Sequence, residues 1–169
     1  MDSTTRHLYH TQEKWEHKLI MPVLTKNPEA WLGEGYYFWY YENDAIWWGR
    51  TAKKRTGYYQ VYKAEIEFEN ILDTVFNEEH YIFWVKNIEK AIEKYIKTQK
   101  EEISLKYIND FFKDKGIFDG IDGVLFQDIT NNPDNWIVKK FQYKKRIQLV
   151  VYNLPIINTF THKFEAQCT

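Results

Sequence analysis

The sequence predicts a single α+β domain over residues 1–169, and three observations carry that expectation. Ala64, Ile66 and Phe68 alternate with Lys63, Glu65, Glu67 and Glu69, the period of a strand with one buried and one wet face. Ile82, Val85, Ile88, Ile92 and Ile96 recur at spacings of three and four, which marks an amphipathic helix over about 77–100. The C-terminal third then returns to short apolar runs separated by turn signals.

A chain of 169 residues can bury a substantial core as one domain. Charged residues make up 28% and the net charge is −1, so attraction to a polyanion has to come from a local site. Aromatics reach 18%, enough to build a core and still leave flat surfaces for stacking. Cys168 is the single cysteine, which rules out an internal disulfide or a cysteine-rich zinc site and suits a reducing compartment. Residues 1–10 lack the apolar stretch of a secretion signal, and no apolar run approaches a membrane span. The expectation is a cytoplasmic protein with no membrane contact.

Taken in order, 8–10 reads as a short first strand and 13–24 as a helical turn or two ending near Pro22. Pro28 biases Asn27 away from helix, so 26–29 is a loop. Gly33-Glu34-Gly35 then bends the chain, and the aromatics of 36–40 favour a pleated strand. Residues 42–48 open a helix with Asn43 or Asp44 near its N-cap. Residues 50–57 form a basic loop, which is either solvated or a clamp for phosphates. The strand of 58–73 follows, with Glu65, Glu67 and Glu69 on its wet side. His80 starts the helix of 77–100 and is expected on the surface. Ser104 caps a second helix over 105–115 that Gly116 ends, with Tyr107, Ile108, Phe111 and Phe112 as its buried stripe. Residues 122–126 read as a buried strand, 131–135 as a turn and 136–141 as a strand. A charged turn at 144–146 leads to a central strand over 147–152 and a last one over 156–160.

By itself a Gly-x-Gly before a strand is a turn that lets aromatics pack, since it lacks the Lys-Ser/Thr of a phosphate loop. Its combination with Leu8-Tyr9-His10-Thr11 upstream and Trp48, eleven residues after Tyr37, is more specific. The pattern resembles the diphtheria-toxin and PARP-like (H-Y-E) class of ADP-ribosyltransferases. That class carries a Tyr/Trp-His-Gly-Thr/Ser strand, a Gly-x-Gly-x-Tyr-Phe turn and a second aromatic. Thr11 stands where the class has Gly. Residues 146–153, RIQLVVYN, resemble the late strand that bears the class's Glu, and here that position holds Gln148.

The resemblance implies two packed, mainly antiparallel sheets around an NAD cleft with flanking helices, and NAD as co-substrate without a metal. It assigns His10, Tyr37 and Gln148 to catalysis, and His10, Thr11, Gly35, Tyr37 and Trp48 to NAD binding. Tyr37 and Trp48 would stack on the two faces of nicotinamide. His10 would bond a ribose hydroxyl, a role that suits neutral imidazole because it offers both a donor and an acceptor. Gln148 would accept a hydroxyl hydrogen bond without supplying charge. The implied activity is mono-ADP-ribosyl transfer from NAD to a protein or nucleic-acid acceptor. A bacterial toxin or defence effector, countered by an antitoxin or immunity partner, is the role such small domains often take.

Two alternatives stand beside it. One is a catalytically inactive module that binds NAD or ADP-ribose, favoured by Gln148 and Thr11. The other is a nucleic-acid-binding domain in which Tyr and Trp stack on bases beside the basic loop. Other chemistries lack a pattern: the five histidines have no metal-ligand spacing, and Ser3 and Ser104 sit in no nucleophile motif. Glu34, Glu42 and Asp128 have no spacing that recommends a carboxylate pair.

Overall fold

A computed structural model describes residues 4–28, 30–96, 103–128, 136–138, 141–142 and 146–169. Its strands are β1 (Thr5–Glu13), β2 (Tyr36–Trp39), β3 (Tyr58–Glu67), β4 (Ile71–Asp73), β5 (Gly123–Asp128), β6 (Trp136–Val138), β7 (Phe141–Gln142), β8 (Arg146–Val151) and β9 (Ile157–Gln167). Its helices are α1 (Glu42–Ala52), α2 (Glu78–Ile96) and α3 (Leu105–Asp114). Seven strands form one mixed sheet in the order β4-β5-β8-β2-β1-β3-β9, and β6 pairs with β7. The sheet is antiparallel except for β4 and β5. That pair is parallel because the chain crosses over through α2 and α3 between them.

The described strands therefore form a mixed α/β fold with one seven-stranded sheet, where two separate sheets were expected. Its two halves, β4-β5-β8-β2 and β1-β3-β9, stay joined by a single Cα pair, Tyr9–Trp39. One apolar cluster, including Leu8, Phe38, Ile66, Leu125 and Leu149, draws on both halves. A second seats α2 and α3 on β5 and β8 through Ala91, Ile108, Phe112, Val124 and Val150. A third seats α1 on β1 and β3 through Ala45, Tyr59 and Val61. Gly49 makes that last contact possible, since a Cβ there would lie 2.2 Å from the Tyr59 ring.

Several expected elements change. β1 runs nine residues because every position from Thr5 to Glu13 pairs with β3, a partnership that its polar residues conceal. Residues 14–24 form no helix: the Lys14 amide bonds the Tyr58 carbonyl and the Leu19 amide bonds the Tyr62 hydroxyl, drawing the segment along β3. The strand expected over 58–73 breaks after Glu67, because β3 lies beside β9 while β4 forms the opposite edge. α1 begins after Tyr41, with no side-chain cap from Asn43 or Asp44; Glu42 and Asp44 fall in its first turn, where negative charge suits the helix dipole.

α2 buries Trp84, Ile88, Ala91 and Ile92 toward the sheet, while Ile82 is left 41% exposed. His80 is half-buried and accepts the Asp73 amide through Nδ1 at 3.0 Å. Ser104 caps α3 as expected, accepting the Tyr107 amide at 3.2 Å, but Tyr107 itself is exposed against Tyr95. Residues 136–141 divide into β6 and β7, which pair with each other. The turn at 131–135 and Lys144-Lys145 lie outside the described residues. No described helix is long and apolar enough to cross a membrane.

Candidate functional site

The site lies where β1 and β2 part. Continuing the antiparallel register from Tyr9–Trp39 would set Thr11 opposite Tyr37, but no pair forms there. The imidazole of His10 takes over instead, its Nδ1 lying 2.9 Å from the Tyr37 carbonyl oxygen. A carbonyl can only accept, so Nδ1 carries the proton and Nε2 is left as an acceptor. The ring is 4% exposed and packs against Phe38 and Phe160. Burial pulls its pKa from 6.5 down to about 4, with the Tyr37 bond opposing and Lys53 assisting. His10 is thus neutral at physiological pH. Its Nε2 is buried without a hydrogen-bond partner, a state that native proteins rarely leave without a reason.

Beside it opens a cleft of about 430 Å³, within the size of small-ligand sites. Tyr37 and Trp39 reach it from β2, Gln148 and Arg146 from β8, Phe126 from β5, and Trp48 and Lys53 from α1 and its C-cap. Trp31 and the residues around Val23 to Asn27 close it from the connection between β1 and β2. Trp39 and Trp48 pack with ring centres 5.8 Å apart, and Trp31 and Phe126 with centres 6.5 Å apart. The walls are aromatic, and no carboxylate is among the described residues that line them.

The structure brings together most of the residues singled out in the sequence. His10, Thr11, Tyr37, Trp48 and Gln148 all line this cleft. Tyr37 holds itself by its hydroxyl, which donates to the Gly33 carbonyl at 2.9 Å and accepts the Leu32 amide at 3.2 Å. Burial pushes that phenol up to about 12, so it stays protonated. Thr11 donates its hydroxyl to the Ala45 carbonyl at 2.9 Å, tying β1 to the helix that delivers Trp48 and Lys53. Gln148 is half-buried, paired across the strands with Trp39 and Phe126.

Gly35 is not among the lining residues of this cleft. It allows the close approach of β2 to β8, where a Cβ would meet Val150 Cγ2 at 2.4 Å. Glu34 is exposed and also outside the cleft, and the side chain of Asp128 lies outside the description. Of the basic stretch from Arg50 to Arg55, Lys53 alone lines the cleft. Arg50 and Thr51 belong to the last turns of α1, and Lys54 and Arg55 are exposed.

Sequence reasoning missed Trp39, Phe126 and Arg146. Strand alternation held two of them: Trp39 is two residues from Tyr37, and Arg146 two from Gln148, so each pair shares a face. Phe126 becomes visible only through its register with Gln148. Among the described residues no group of three or more His, Cys, Asp or Glu could hold a metal ion. The chain matches no family model, no curated protein and no solved structure.

Proposed function

We propose that this cleft binds NAD and that the protein is a mono-ADP-ribosyltransferase of the diphtheria-toxin and PARP-like class. The observation that carries this reading is convergence: His10 from β1, Tyr37 from β2, Trp48 from α1 and Gln148 from β8 line one cavity.

Cleaving the bond between nicotinamide and ribose leaves positive charge on the sugar, and the protein's task is to orient the dinucleotide and stabilise that charge. Tyr37 and Trp48 offer flat faces for the nicotinamide ring. Neutral His10 lines the cleft, and a ribose hydroxyl that reached its buried Nε2 would give that nitrogen the partner it lacks. Gln148 accepts a second hydroxyl through its amide oxygen. The acceptor of the ADP-ribose is a protein or a nucleic acid, and a cytoplasmic toxin or defence effector with an antitoxin or immunity partner is the corresponding biological role.

The test is incubation of the purified protein with NAD labelled in its ADP-ribose part and a cell lysate. Covalent label on a lysate component, lost in Gln148→Ala, is the expected result. Gln148 also favours a second reading, a module that binds NAD without turning it over, because an amide supplies no negative charge. Saturable NAD binding with no covalent label is the outcome that selects it.

A further inference from the structure

Helix α2 packs one face and leaves the other to solvent. Trp84, Ile88, Ala91 and Ile92 join the apolar cluster shared with β5, β8 and α3. On the opposite side, Glu79, Ile82, Phe83 and Lys86 follow one another at spacings of three, one and three, a single stripe over two helical turns. All four are exposed, Ile82 and Phe83 at 41% each. Phe76 at 54% and Tyr81 at 50% widen the apolar surface around the start of the helix. Three consecutive exposed apolar residues, Tyr81 to Phe83, are the pattern of a contact surface rather than of a solvated helix. Neither Glu79 nor Lys86 forms an ion pair among the described residues.

The order of the stripe identifies what fits it. An acid, two apolar residues and a base, turned end for end, read as their own complement. In an antiparallel pair with its two-fold axis between Ile82 and Phe83, Glu79 of each copy faces Lys86 of the other, and Ile82 faces Phe83. A parallel pair would set acid beside acid and base beside base, which is unfavourable. We propose that this face of α2 is a self-association surface, on which two copies of the chain pair α2 antiparallel. Ile82 and Phe83 supply the buried centre, and the Glu79–Lys86 pairs close both ends and fix the orientation. A single helix pair is small for an interface, which puts the dimer in the weak, reversible class. None of the four residues lines the cleft, so the association is independent of what the cleft binds.

Sedimentation velocity of the full chain over a wide concentration range tests it. The wild type is expected in monomer–dimer equilibrium, and Phe83→Glu should lose the dimer. Glu79→Lys and Lys86→Glu should each weaken self-association roughly tenfold, because the two-fold axis applies every change twice. Both positions are exposed, so the reversals leave the fold intact; far-ultraviolet circular dichroism checks this. The double variant Glu79→Lys with Lys86→Glu should recover the wild-type affinity. Mixing the two single variants should give a heterodimer, because both facing pairs are then opposite in charge. A wild type that stays monomeric overturns the proposal, as does a dimer indifferent to Phe83→Glu. A dimer that Phe83→Glu breaks, but that neither charge reversal weakens and the mixture does not restore, overturns the antiparallel pairing.

Discussion

Strand β2 meets β8 and β1 in opposite ways. With β8 it keeps four consecutive Cα pairs, from Tyr36–Val151 to Trp39–Gln148; with β1 it keeps Tyr9–Trp39 alone. On the closed side, backbone satisfies backbone, and Gly35 lets the strands approach where a Cβ would collide with Val150. On the open side, a side chain replaces the ladder: His10 bonds the Tyr37 carbonyl, and a cleft of about 430 Å³ opens beside it. Buried backbone groups must be paired one way or another. Where pairing passes from backbone to side chains, the molecule gains room and directed polar atoms, and there the candidate chemistry collects.

The largest expected effect tests whether the open seam lacks negative charge. A unit charge at ~4 Å with an effective dielectric near 20 is worth about 4 kcal/mol, roughly a thousandfold in rate. Gln148→Glu keeps the shape and adds that charge, so NAD cleavage should rise by up to this factor in a steady-state assay. An unchanged rate would make Gln148 an ordinary strand residue.

Next comes the pH response of His10. The unfolded residue takes up its proton near pH 6.5 and the folded one near 4, so the unfolded state binds more protons between these values. Stability should fall as pH drops through 6.5 and level off below about 4, by about 3 kcal/mol in all. Denaturant unfolding at pH 7 and pH 4 should show that His10→Phe removes this component. An identical pH dependence in both proteins would mean that the imidazole is not held neutral at the seam.

Smaller effects separate the two sides of β2. Gly35→Val should overpack the closed seam and cost about 1–3 kcal/mol in chemical unfolding without altering the pH response that belongs to His10. Tyr37→Phe should cost about 1–2 kcal/mol through the lost bonds to Gly33 and Leu32, yet leave NAD affinity nearly unchanged because the ring remains. Equal losses of stability and affinity would show that the hydroxyl, rather than the ring, serves the ligand.

Much of this was legible in the chain. Ser104 announced the start of α3, the alternation around Ala64 and Ile66 announced β3, and the spacing from His10 through Tyr37 to Trp48 picked residues that do line one cleft. The seam itself was not. No local pattern says that β1 pairs fully with β3 yet only once with β2, because pairing is decided by long-range packing. The same holds for Lys53 and Arg146. In sequence Lys53 sits in a basic loop that reads either as solvated or as a phosphate clamp, and Arg146 in a charged turn; only the return of β8 beside β2 brings Arg146 to the cavity that Lys53 enters from α1.

The central claim, that the open seam is an NAD site, is tested most directly by calorimetric titration of NAD into the wild type and Trp48→Ala. Trp48 lines the cleft from α1, and stacking of this kind is typically worth ~1–3 kcal/mol. The account predicts saturable binding to the wild type and affinity at least several-fold weaker in the folded variant. No saturable binding to the wild type, or the same affinity in both, would contradict it.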